Sequence, residues 1–96
     1  MAEPLGDSES AALLARLPGW EIAEGRLRRE YAFERYLDGV AFASRVAELA
    51  EAADHHPDIL IGYRRVTLTL ISHDAGGLTE RDFALAARID APGSGT

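Results

Sequence analysis

The chain has 96 residues and no cysteine. That length suits one domain, and the missing thiol removes disulfides, thiolate metal sites, iron–sulfur ligation and a cysteine nucleophile together. Ten basic residues, all arginine, against sixteen acidic ones give a net charge of −6, which disfavours broad phosphate-backbone binding. Apolar residues are 47% of the chain and charged residues 27%, an ordinary globular balance. No apolar run approaches the roughly 20 residues of a membrane span, and the N-terminus lacks the basic-then-apolar pattern of a signal peptide. A cytoplasmic domain is expected, with no membrane and no direct nucleic-acid partner. It occupies about residues 7–90, with residues 1–6 and 91–96 as flexible ends.

In chain order, Asp7 or Ser8 can cap a short helix carrying Leu13, Leu14 and Leu17, which Pro18-Gly19 stops. Trp20 and Ile22 then alternate with polar residues, Glu24-Gly25 makes a tight turn, and Leu27, Tyr31 and Phe33 resume on a second strand. Arg29 falls on that strand's apolar side and spoils the alternation. From Tyr36 to Ala53 the period becomes helical, with Phe42, Val46, Leu49, Ala50 and Ala53 at three- and four-residue steps. Pro57 disfavours helical geometry at His56, so this helix ends near Asp54–His55. Ile59, Ile61 and Tyr63 form a short strand. Val66, Leu68 and Leu70 alternate with Thr67, Thr69 and Ile71 on the next. Gly76-Gly77 turns the chain into a last helix, with Thr79 as its N-cap, acids at Glu80 and Asp82, and Leu78 and Phe83 placed as a hydrophobic staple. The expected fold is α+β in the order α-β-β-α-β-β-α, a four-stranded antiparallel sheet with helices packed on one face. The uncovered face and edge strands predict a homo-oligomer, a homodimer or homotetramer.

With thiols absent, His55, His56 and His73 lead as acid–base groups near neutral pH. Glu51 lies one helical turn before His55, the spacing at which a carboxylate can fix an imidazole's tautomer. The turn imposed by Pro57 lets one pocket hold both His55 and His56, with His73 brought in from the neighbouring strand. The same residues also admit plainer readings. A histidine at a helix end can simply cap carbonyls, and three histidines can hold a metal, although no His-Glu-x-x-His helix is present. Arg64-Arg65 reads as a solvated pair at a hairpin turn, Gly76-Gly77 as a turn, and Trp20 and Tyr63 as core or interface aromatics.

Glu51, His55, His56, Pro57, Tyr63, His73 and Asp82 stand at the spacing Glu-x3-His-His-Pro-x5-Tyr-x9-His-x8-Asp. With Arg45-Val46-Ala47, Asp54, and Gly77 through Asp82 around them, the chain resembles the pterin-4a-carbinolamine dehydratases over about residues 13–89. The resemblance implies elimination of water from 4a-hydroxytetrahydrobiopterin to give quinonoid dihydrobiopterin, by histidine acid–base catalysis with no cofactor and no metal. This step would support tetrahydrobiopterin recycling beside a pterin-dependent aromatic amino acid hydroxylase. It implies His55, His56 and His73 as catalytic residues. Pterin contacts are implied at Asp54, His55, His56, Ile71, Ser72, His73 and Asp74, where Ser72 and Asp74 keep the hydroxyl and the charge of the family's Thr and Glu. Glu51, Pro57, Tyr63 and Asp82 are implied as support, Glu51 for His55 and Asp82 chiefly for the helix cap. The alternative is a non-catalytic dimerisation or accessory binding module on the same fold.

Overall fold

The computed structural model describes residues 3–91. The first helix, α1, spans Asp7–Leu14. Gly6, rather than Asp7 or Ser8, is its N-cap. The Gly6 N–H donates to Glu9 Oε1 at 3.1 Å, so a side chain from inside the first turn satisfies the orphan donor that a capping hydroxyl would otherwise address. The helix stops before Pro18, and two reverse turns (Arg16 N–H to Leu13 O, Leu17 N–H to Leu14 O) carry Leu17 into the core. Part of the expected N-terminal loose end is tied down, since Leu5 N–H donates to Leu78 O at 2.8 Å. Of the expected C-terminal end, residues 92–96 lie outside the described residues.

Strands β1 (Glu21–Ala23) and β2 (Arg26–Ala32) form the first hairpin. Both of its central residues are left-handed, Glu24 at φ 53° and Gly25 at φ 75°, the geometry that matches the twist of a tight hairpin. Helix α2, Tyr36–Ala53, runs between the limits expected from its periodicity. Gly39 in its first turn is buried, and a Cβ there would lie 3.3 Å from Val66 Cγ2 and 3.4 Å from Phe33 Cδ2. The glycine therefore lets the helix approach the sheet closely. Strands β3 (Asp58–Ile61) and β4 (Arg65–Leu70) form the second hairpin, and α3 spans Glu80–Asp90.

The sheet is antiparallel in the order β1-β2-β4-β3. Leu27 pairs with Leu70, Arg29 with Leu68 and Tyr31 with Val66, and Leu68 and Val66 face Ile59 and Ile61 across β3. These residues share the face on which α2 packs. Leu27, Val66, Leu68 and Leu70 are wholly buried, each contributing about 1.5–3 kcal/mol. The opposite face carries Arg26, Arg28, Glu30, Thr67, Thr69 and Leu60, laced by the Arg28–Glu21 pair at 2.9 Å. No helix among the described residues is long and apolar enough to cross a membrane.

Candidate active site

The second hairpin brings the two histidine regions together. Asp58 pairs with Thr69, and continuing that antiparallel register sets residue 55 opposite residue 72. His55 enters this position through a sharp reversal at the end of α2. Asp54 takes the left-handed conformation (φ 50°, ψ 44°), which Asp tolerates better than most residues, and His55 N–H closes back on Ala50 O at 3.1 Å. The reversal turns the two neighbouring rings apart. His55 is only 8% exposed, with Nε2 2.6 Å from Asp82 Oδ1. His56 is exposed, with Nε2 2.7 Å from Glu51 Oε1.

One expected pairing therefore changes, and one expected role widens. Glu51 meets His56 and not His55, because Asp54 ends the helix before the one-turn spacing reaches His55. Asp82 does more than cap α3. It is completely buried and bridges the two hairpin regions. Oδ1 meets His55, while Oδ2 accepts from Ser72 Oγ at 2.9 Å and from Thr79 N–H at 2.9 Å. Thr79 is the N-cap the sequence predicts, with Asp82 closing the capping box, and Leu78 and Phe83 are both buried as a staple requires.

Ser72 is 1% exposed and its hydroxyl is taken up by Asp82 and by Thr79 Oγ1 at 2.8 Å, so it points into the protein. A bridge between Ser72 and Gly77 closes the intervening loop. Within that loop, a 3₁₀ turn at His73–Ala75 holds His73 in solvent, where its ring has no protein partner among the described residues. Asp74, beside it, is bonded to Arg81 Nη2 at 2.6 Å. That bond, ahead of the guanidinium charge, holds the Asp74 carboxyl below the usual carboxylate range. Ile71 and Pro57 are half-buried next to the histidines, and Asp54 is exposed. Tyr63 is far from this group. It sits in the β3–β4 turn at the other end of the hairpin, 77% exposed.

The sequence reading missed the Ser72–Thr79 contact and the link from Asp82 to His55. A Thr-x-x-Asp signature announces a capping box, but nothing local to it names the histidine that the carboxylate reaches. Among the described residues no three His, Asp or Glu side chains converge as metal ligands, so geometry gives the three-histidine metal reading no support. A cavity of about 650 Å³, lined by Arg16, Pro18, Gly19, Arg29 and Asp90 among others, lies at the opposite end of α3 from Asp82.

A buried carboxylate-bound imidazole beside an exposed one, both on an α+β frame with a four-stranded antiparallel sheet, defines a site suited to proton transfer. The family model described as pterin 4 alpha carbinolamine dehydratase matches residues 3–92. A Thermomicrobium roseum protein provisionally named pterin-4-alpha-carbinolamine dehydratase is 53% identical over 85 residues, 88% of this chain and 91% of its own. The crystal structure of a transcriptional coactivator/pterin dehydratase from Brucella melitensis superposes with a TM-score of 0.87 at 31% identity, covering 92% of this chain and 96% of that one. A pterin dehydratase-like protein described as a RuBisCO assembly factor in the alpha-carboxysome gives a TM-score of 0.59 at 32% identity, covering 74% and 82%. The chain belongs to the pterin 4 alpha carbinolamine dehydratase family.

Proposed function

We propose that the protein eliminates water from 4a-hydroxytetrahydrobiopterin to give quinonoid dihydrobiopterin, a lyase step that recycles the pterin released by an aromatic amino acid hydroxylase. The observation that carries this reading is His55, seated on Asp82 at 2.6 Å across the hairpin from the loop bearing His73, in a chain of this family. In the reaction the C4a–O bond breaks, an acid protonates the departing hydroxyl, and a base takes a proton from a pterin ring nitrogen. Water and a new C=N bond result, and the balance needs neither oxidant nor reductant. Imidazoles serve both roles near neutral pH. His55 and His73 carry the proton transfers, and His56, steadied by Glu51, binds the pterin edge or shares that work. Asp54, Ile71 and Pro57 shape the rim. The working unit is a homodimer or homotetramer.

Stopped-flow dehydration of enzymatically generated carbinolamine tests the reading. His55→Ala and His73→Ala, each still folded, should slow turnover by about 100-fold or more. Unchanged turnover in both overturns it.

A second reading, an accessory binding module, draws support from the two structural neighbours described as a coactivator and an assembly factor. It predicts a stable complex with another protein that survives both histidine substitutions.

A further inference from the structure

We infer that Ser72 and Thr79 are positioning residues that hold His55 in a single tautomer, with the proton on Nε2 and the lone pair on Nδ1. Nδ1 is then the atom of His55 that meets the substrate. The inference deepens the dehydratase reading and rests on it for its kinetic arm only.

Hydrogen-bond direction around Asp82 fixes the tautomer. With Asp82 as a carboxylate, which accepts and never donates, each group touching it must supply a proton. Ser72 O–H therefore donates to Oδ2, and its one proton is spent. In the Ser72–Thr79 contact at 2.8 Å, Thr79 O–H must then be the donor and Ser72 Oγ the acceptor. Thr79 Oγ1, having given its proton to Ser72, accepts from Arg81 N–H at 3.3 Å. The chain runs one way, from the Arg81 amide through Thr79 and Ser72 to Asp82. With Oδ2 filled by Ser72 and the Thr79 amide, Oδ1 is left to accept from His55, and Nε2 must carry the hydrogen.

The other ring nitrogen is not sealed from solvent. Among the described residues the only buried side-chain nitrogen or oxygen without a partner is Arg45 Nε. Among the described residues His55 Nδ1 has no protein partner and is not one of those buried atoms, so it keeps access to solvent although the ring is largely enclosed. Ser72 cannot be a pterin contact of the expected kind, being 1% exposed with its hydroxyl engaged on both sides. Its effect on catalysis passes through Asp82 to the ring.

The test uses the whole ¹⁵N-labelled protein, whose three histidines are resolved by long-range ¹H–¹⁵N correlation followed across a pH series. Wild type should show His55 as one tautomer with a protected Nε2–H. Ser72→Ala should broaden that proton and admit the second tautomer, and kcat should fall about tenfold with KM within about twofold. Ser72→Thr, which keeps the hydroxyl, should restore both. Thr79→Val, which keeps shape and drops the donor, should move them the same way and decides the matter if Ser72→Ala does not fold. Retention of the single tautomer with kcat intact overturns the inference. So does a raised KM at constant kcat, the mark of a direct substrate contact. If the wild-type protein does not turn over the carbinolamine, the dehydratase reading fails while the tautomer spectra still decide the positioning role.

Discussion

Asp74 shows how one side chain's bond decides what its neighbours can do. The family resemblance implies a pterin contact for it, next to His73, and its carboxylate lies 2.6 Å from Arg81 Nη2. This pins the loop of the 3₁₀ turn to the first turn of α3. The bond to Arg81, reinforced by the guanidinium charge and opposed by desolvation, lowers the Asp74 pKa from its ordinary value. A carboxylate lowered in the folded state favours folding above the unfolded value of about 4, and that contribution is lost as pH falls through the folded value. A carbon-detected titration should therefore place the Asp74 midpoint below the ordinary range. Arg81→Ala should return it upward, and an unmoved midpoint would show that the ion pair is absent in solution. Reading Glu51 against His55 assumes that helical spacing continues through residue 55. The left-handed Asp54 breaks that assumption, and no residue-type rule distinguishes Asp54 as a cap from Asp54 as one more helical residue.

Among elements, the Asp90 carboxylate fastens the end of α3 to the first hairpin. Asp90 Oδ2 accepts from Trp20 Nε1 at 2.6 Å and Arg29 Nη1 at 2.9 Å, and Oδ1 accepts from Tyr31 O–H at 2.5 Å. Arg29 also reaches Pro18 O at 2.9 Å, and its guanidinium carbon lies 4.4 Å from the Tyr31 ring centroid. The residue that spoils the β2 alternation is thus held by a partner 61 positions away, beyond the reach of any local pattern. By contrast, the limits of α2 and the cap of α3 were legible because periodicity, Pro57 and the Thr79 signature are local. Asp90→Ala strands the Trp20 and Tyr31 donors and leaves Arg29 with Pro18 O alone, and should cost about 2–3 kcal/mol in urea unfolding. The same fastening has an alkaline signature. Burial first, then the Asp90 bond and charge, push the Tyr31 phenol well above its ordinary pKa, with Arg29 opposing. A group raised in the folded state stabilises fully below the unfolded value, about 10 for tyrosine, and the contribution is lost as pH rises beyond it. Wild type should lose stability above about pH 10 more steeply than Tyr31→Phe, and equal slopes would remove Tyr31 as the cause.

For the whole molecule, the question is what covers the sheet. The helices take one face, and the strand order leaves β1 and β3 as edges. The two edges differ in kind. Strand β1 is three residues long and carries Glu21, paired with Arg28, a short and charged edge of the sort that resists further pairing. Strand β3 presents Leu60 at 68% exposure, with Ile61 beside it and Tyr63 in the following turn also exposed. An exposed apolar edge of this kind is an aggregation hazard unless another strand occupies it. Pairing β3 with its copy about a twofold axis would satisfy the β3 edge of each chain at once, since an isologous contact uses the same patch on both. Sedimentation velocity at micromolar concentration should thus give a mass that is a multiple of the 10.4 kDa chain. Leu60→Glu places like charges opposite or near one another across that axis and should shift the population toward the single chain. The histidine network contains no residue of this edge, so its His55–Asp82 resonances should be unchanged in the variant. A wild-type protein that sediments as one chain would place the apolar edge in some other service, and the accessory-module reading would gain the surface it needs.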